Sequence, residues 1–282
     1  MQTVSVVTGG AGGMGLATAK LLGRNSHVVL SDLKEGPLEA AVRELRALDI
    51  SCTPVTCDIT DRASVDALAQ AAAELGTIVS VVHAAGVSPQ MGDASFIVRV
   101  NALGTVLVTE AFLKRAHPRM ALVNVSSVAG HMLPALMTPT RTFKLALEGD
   151  LPRFEEKLGA LASFGPKGMR PGSAYSLSKC FVIWYSKQMA ARFGEKGARI
   201  LSVSPGSFDT EMGRLEEKSG AGRLIEFAAL KRFGKAEEIA SLLAYCAGEG
   251  PGYLTGTDIL CDGGTLAGLD LKGMLKMARS TG

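Results

Sequence analysis

What this 282-residue chain lacks narrows it first. Its five cysteines (Cys52, Cys57, Cys180, Cys246 and Cys261) form no Cys-x-x-Cys pair and no Cys/His ligand cluster. That excludes a metal-binding motif, and the thiols read as small core residues of a reducing compartment. The net charge of +3 is too small and too dispersed for a nucleic-acid surface. No apolar run reaches about 18 residues, so no membrane span is expected. The N-terminus enters a strand pattern at once, Thr3-Val4-Ser5-Val6-Val7, without a basic leader or cleavage site. There is no internal repeat and no low-complexity tract. These absences predict a cytoplasmic protein with no metal, nucleic-acid or membrane partner. At this length a single α/β domain buries about 75% of its unfolded surface and needs no covalent staple.

What is present is an alternation of short apolar runs with longer helical patterns, which predicts a mostly parallel sheet covered by helices on both faces. Strands are expected at Val4–Thr8, His27–Ser31, Ser51–Val55, Ile78–His83, Ala121–Val125, Arg199–Val203 and Asp258–Cys261. Helices are expected near 14–22, 37–48, 62–75, 94–116, 174–193 and 235–247. The runs Val28-Val29-Leu30 and Ile78-Val79-Ser80-Val81-Val82 suit parallel strands buried on both faces. Between 131 and 172 the rhythm breaks: five of the eleven prolines fall there, among spaced residues such as Phe143, Phe154, Leu158 and Phe164. That mixture predicts short helices broken by turns, an ordered insertion folded over the site.

Gly9, Gly13 and Gly15 directly follow the first strand and open a helix. Glycines there permit a tight turn and close backbone approach to a pyrophosphate, which the helix N-terminus attracts. An acid, Asp32, ends the second strand, placed to accept hydrogen bonds from ribose hydroxyls and to repel a 2′-phosphate. This favours NAD as cofactor. The bland alternative for Asp32 is a cap on the next helix. Farther along, Ala174-Tyr175-Ser176-Leu177-Ser178-Lys179 sets Lys179 one helical turn from Tyr175, on the same face. The lysine charge favours phenolate, drawing down a pKa that starts near ~10, so the tyrosine can exchange a proton near neutral pH.

With the glycine loop, Asp32, Ser127, Tyr175 and Lys179 assembled, the chain resembles the short-chain dehydrogenase/reductase family over residues 1 to about 264. Thr8-Gly9-x-x-x-Gly13-Met14-Gly15 resembles its cofactor loop, and Asp58-Ile59 its adenine-contacting pair. Asn101 in Val100-Asn101-Ala102 falls where the family keeps an active-site asparagine. Asn124-Val125-Ser126-Ser127 is similar to its catalytic serine strand. Pro205, Gly206 and Thr210 lie in a stretch resembling the loop that meets the nicotinamide. Two departures stand out. Where the family has Asn-Asn-Ala-Gly, this chain has His83-Ala84-Ala85-Gly86, which puts a strand-anchoring side-chain bond in doubt. Ser127 and Tyr175 are 48 residues apart because of the insertion, while Asn101 follows Gly86 by only 15. The layout is similar to that of bacterial hydroxysteroid dehydrogenase/carbonyl reductases.

The resemblance implies a Rossmann-type, doubly wound α/β domain with a seven-stranded, mostly parallel sheet. It also implies catalysis by Asn101, Ser127, Tyr175 and Lys179, with NAD held by Gly9, Gly13, Met14, Gly15, Asp32, Asp58, Ile59, Ala85, Gly86, Tyr175, Lys179, Pro205, Gly206 and Thr210. Tyr175 would exchange the hydroxyl proton, Ser127 would hydrogen-bond the substrate oxygen, and Asn101 would hold a water linking Lys179 to solvent. Residues 207–232 would be a substrate lid, with Phe208, Met212, Leu215, Leu224, Ile225 and Phe227 as its apolar face. With Met132, Leu133, Leu136 and Met137, this predicts a bulky secondary alcohol, such as a hydroxysteroid or terpenoid alcohol. Residues 265–282 form an extension patterned as an amphipathic helix. A homo-oligomer, dimer or tetramer, is expected. The alternatives are a 3-oxoacyl-type ketoreductase using NADPH, and a non-catalytic dinucleotide sensor.

Overall fold

All seven expected strands form, each within two residues of its expected ends. A computed structural model describes residues 2–210, 213 and 221–269. The expectations for Met212, Leu215, much of the lid and most of the C-terminal extension fall on 211, 212, 214–220 and 270–282, outside the described residues.

The strands β1 (Thr3–Thr8), β2 (His27–Asp32), β3 (Cys52–Thr56), β4 (Thr77–His83), β5 (Ala121–Val125) and β6 (Arg199–Pro205) are joined by β9 (Asp258–Cys261) in one sheet. Its order is β3-β2-β1-β4-β5-β6-β9, and every neighbouring pair is parallel. The order reverses between β1 and β4. Such a switch point leaves a crevice at the strand C-termini where an α/β sheet binds its ligand, and the glycine loop leaves β1 into that crevice. Two short strands, β7 (Phe208–Asp209) and β8 (Gly234–Lys235), pair separately after the main sheet turns away.

On one face α1 (Gly13–Leu22), α2 (Glu35–Arg46) and α9 (Ala236–Ala247) cover a core of Val7, Val28, Leu30, Val82, Val123 and Leu201. The other face carries α3 (Arg62–Leu75), α4 (Ala94–Val98), a π-helical turn (Arg99–Leu103), α5 (Gly104–Leu113) and α8 (Arg170–Gly194). Their starts are written in local chemistry. The Asp61 carboxylate accepts from the Ala63 and Ser64 N–H groups to begin α3, and Asp93 accepts from Phe96 N–H at 2.8 Å to begin α4. By length and composition the continuous stretch Ala94–Leu113, of mean hydropathy 1.6, could cross a membrane, yet 78% of it is buried within this fold. It is a core helix.

The insertion departs from expectation in one respect. It does form helices, α6 (Thr140–Glu148) and α7 (Leu151–Ala162), joined by Gly149 at φ +81. They are built into the core. Phe143, Ala146, Phe154, Leu158 and Ala162 are at most 1% exposed, and the Phe154 and Phe143 rings sit 4.7 and 5.1 Å from Phe181 on α8. Each helix carries an apolar stripe at three- or four-residue spacing, and the aromatic flank of α8 is the apolar surface that matches it. A second difference is that α8 starts at Arg170, earlier than expected, because Pro171 occupies the first turn, where its missing N–H costs nothing.

Candidate active site

The glycine loop is shaped by contacts that no side chain would permit. Gly9 has φ +66, and a Cβ there would lie 2.6 Å from the Ala85 nitrogen. A Cβ on Gly15 would lie 2.1 Å from the Gly9 carbonyl oxygen. The loop after β1 therefore rests directly on the Ala84–Ala85 backbone after β4. Gly13 comes close to Thr210, whose Cβ is 3.5 Å from the position a Gly13 Cβ would take. Gly206 is locked against Asp262 and donates its N–H to the Cys261 carbonyl at 2.9 Å. Thr210, which follows β7, thus lies against the glycine loop at Gly13. Gly12 caps α1 without a side-chain hydrogen bond. The first-turn N–H groups are left to an anion.

Asp32 does not cap α2, whose N-cap residue is Lys34. Its carboxylate accepts from Ala11 N–H in the glycine loop at 3.1 Å and from Leu33 N–H at 2.8 Å. Each oxygen keeps further acceptor capacity for a ribose hydroxyl. Lys20, the one cation of the loop helix, is paired with Glu44. Asp58 accepts from both the N–H and the hydroxyl of Thr60 at 2.8 Å, and the cap of α3 is left to Asp61. Ile59 is 7% exposed, with its side chain turned into the core against Gly104. What Ile59 offers a ligand is main chain.

The strand-anchoring bond in doubt at His83 is made by another pair. His83 Nδ1 lies 2.7 Å from Thr8 Oγ1 across β4 and β1, and Thr8 Oγ1 accepts from Ala85 N–H at 3.4 Å. The imidazole is fully buried, and burial, then the nearby Lys179 charge, push its pKa down to about 3. It stays neutral. Sequence reading missed Thr8, because a threonine at a strand end carries no signal of a partner 75 residues away.

Asn101 sits on the π turn, a helical irregularity that often marks functional positions. Its side chain clamps Val87, accepting from Val87 N–H at 2.9 Å and donating to Val87 O at 3.0 Å, and it reaches Ser178 Oγ on α8 at 3.3 Å. Asn101 Oδ1 and Lys179 Nζ lie 3.0 and 3.4 Å from where a Cβ on Gly86 would be. The asparagine, the lysine and the glycine after β4 therefore form one cluster.

Lys179 is 6% exposed, and its ammonium donates to the Val125 carbonyl at 3.0 Å. The same Nζ is 5.8 Å from the Tyr175 ring centroid. Ser127 begins the turn after β5, with its Oγ accepting from Ala129 N–H at 3.2 Å, and neighbouring Ser126 donates to the Lys179 carbonyl at 2.8 Å. Tyr175 is half-buried. Tyr185, one face further along α8, is fully buried, and desolvation drives its pKa far upward. Of these two tyrosines, Tyr175 is the one suited to exchange a proton. The lid expectation needs one correction: Phe208 is 5% exposed and belongs to the core beside Gly234.

These features have close counterparts among known proteins. The short chain dehydrogenase family matches residues 3–149, and a second family description, Enoyl-(Acyl carrier protein) reductase, matches residues 158–265. A fungal relative, Short-chain dehydrogenase/reductase bsc3 of Alternaria brassicicola, is 30% identical over 95% of this chain and 97% of its own length. Cis-4-hydroxycyclohexanecarboxylate dehydrogenase of Sinomonas cyclohexanicum is 28% identical over 94% of this chain and 97% of its own. The crystal structure of levodione reductase superimposes with a TM-score of 0.73 at 25% identity, covering 94% of this chain and 98% of that one. The fold and site define a nicotinamide-dinucleotide oxidoreductase, and the chain belongs to the short-chain dehydrogenase/reductase family.

Proposed function

We propose that the protein is an NAD-dependent dehydrogenase/carbonyl reductase that interconverts a bulky, largely apolar secondary alcohol and its ketone. The observation that carries this reading is the buried Lys179 ammonium, 5.8 Å from the half-buried Tyr175 ring, beside the Ser127 turn. The dinucleotide, when bound, supplies the hydride acceptor. The crevice fits it: Gly9 and Gly15 leave no room for a Cβ, and Asp32 stands at the end of β2 with acceptor capacity to spare. Asp32, Asp58 and the Ile59 main chain would hold the adenosine half. Ala85, Gly86, Pro205, Gly206 and Thr210 would hold the nicotinamide half.

Tyr175 takes the proton from the substrate hydroxyl, its phenolate favoured by the Lys179 charge. Ser127 donates a hydrogen bond to the substrate oxygen as charge develops there. Lys179 would also hold the nicotinamide ribose. The clamp of Asn101 on Val87 holds the loop after β4 in register with Lys179. A carboxylate at Asp32 repels a 2′-phosphate, which supports NAD over NADP. Leu136 and Met137, 98% and 67% exposed soon after Ser127, support an apolar substrate surface. The relative named for cis-4-hydroxycyclohexanecarboxylate, a cyclic secondary alcohol, supports the secondary-alcohol chemistry. The thiols of all five cysteines are pushed up by burial, in keeping with an unreactive set in a reducing cytoplasm. We further infer a homo-oligomer.

The test follows NADH absorbance with NAD+ or NADP+ against hydroxysteroids, terpenoid alcohols and cyclohexanols. NAD+-dependent turnover that Tyr175→Phe lowers by about a thousandfold or more is expected, given what general acid–base groups contribute. Turnover that survives Tyr175→Phe would overturn the assignment.

A further inference from the structure

Ser127 acts only if its hydroxyl is aimed, and a separate set of contacts aims it. Ser127 opens a single 3-10 turn, Val128–His131. The turn is seated on α8 both before it, through Ser126, and within it, through Gly130. A Cβ on Gly130 would lie 2.8 Å from the Lys179 carbonyl carbon and 2.9 Å from Ile183 Cδ1, and Ser126 is bonded to the Lys179 carbonyl. Beyond the turn the chain runs through Leu133, packed against the core, into the exposed stretch of Leu136 and Met137.

The far end of the turn is held by His131, whose Nε2 lies 2.9 Å from Asp258 Oδ2. That carboxylate is 8% exposed and comes from β9, 127 residues further along the chain. Its other oxygen accepts from two serine hydroxyls of β6, Ser202 at 2.5 Å and Ser204 at 2.9 Å. Ser202 is the cross-strand neighbour of Asp258, and Ser204 lies two residues on, on the same face. The aspartate is thus immobilised before it meets the histidine. A carboxylate this deep requires its donors. The two serines tie the aspartate to β6, and the third contact reaches the turn.

We propose that His131 and Asp258 are positioning residues that fix the Ser127 hydroxyl relative to Tyr175 and Lys179. The proposal rests on the reading of Ser127 as hydrogen-bond donor to the substrate oxygen. A displacement of about 1 Å in such a group costs up to ~100-fold in rate. In this assignment His131 acts through Ser127.

Crystal structures and steady-state kinetics of His131→Ala, His131→Gln, Ser127→Ala and Ser127→Ala/His131→Ala test this, with NADH affinity read by fluorescence. In His131→Ala the Ser127 Oγ should move by about 1 Å and kcat should fall roughly tenfold or more, with the NADH Kd unchanged. His131→Gln, whose amide nitrogen reaches the same carboxylate oxygen, should restore both. In the Ser127→Ala background, His131→Ala should cost nothing further, because residues acting through one group are not additive. An unmoved Ser127 in His131→Ala, or an equal loss in both backgrounds, overturns the proposal. Full activity in Ser127→Ala would instead overturn the underlying reading of Ser127. If His131→Ala does not fold, His131→Asn, with an amide one bond too short to reach Asp258, takes its place.

Discussion

At His83 an ionisable ring lies where most family members carry an asparagine, and the consequence is a pH-dependent stability. The folded ring titrates at about 3 against an ordinary value of 6.5. Between those values the unfolded chain binds the extra proton and the folded protein does not. The stabilising contribution is therefore complete above about pH 6.5 and is lost progressively as pH falls. At pH 5 the loss is roughly 2 kcal/mol. Calorimetry should show Tm falling between pH 7 and pH 5, and His83→Asn, which cannot titrate, should flatten that slope. An unchanged slope in His83→Asn would assign the effect to other groups. Tyr175 and Tyr185 make the complementary point on one helix. They have the same phenol, but burial has left the second without a hydrogen-bond partner for its hydroxyl and has made it inert.

Among the elements, the β1–α1 unit was the most legible. Its glycines, the strand before them and the helix after them are local facts, and the contacts of Gly9 and Gly15 explain why no other residue serves. The π turn at Asn101 was not legible, since the helix around it is apolar nearly all round and a shift of register leaves no visible break. The insertion was legible as short helices but not as core, because an amphipathic stripe does not name the surface it will meet. That surface is α8, and α6–α7 brace the helix that carries Tyr175 and Lys179. Phe154→Ala should cost about 3–5 kcal/mol in urea unfolding, as expected for a buried aromatic, while NADH affinity in the folded fraction is retained. A cost below 1 kcal/mol would mean that α7 is an ornament of the fold.

For the whole molecule, the insertion covers part of the helical layer. The outer faces of α4 and α8 are occupied by α6 and α7, whose apolar residues are fully buried within the chain. The β9 edge is different: Leu260 is 37% exposed on the strand, and Tyr253, just before it, is fully exposed. Among the described residues this edge is exposed and apolar, a template for association. Light scattering should give a mass above one chain, and Leu260→Glu should lower it. A mass that Leu260→Glu leaves unchanged would move the contact away from this edge.

The sequence by itself determined the alternation of strands and helices, the dinucleotide loop, the Tyr175–Lys179 spacing and the acid at position 32. Each of these is local, readable from propensity, periodicity or a short motif. Tertiary structure alone decided that Thr8 answers His83, that Val87 fills the Asn101 amide, and that the Val125 carbonyl receives Lys179. It also tied His131 to Asp258. Two of these partners are backbone groups that every residue carries, and the rest are polar side chains distant in the chain. Only the assembled sheet and its helices bring them within hydrogen-bonding reach, and once buried there they must be satisfied.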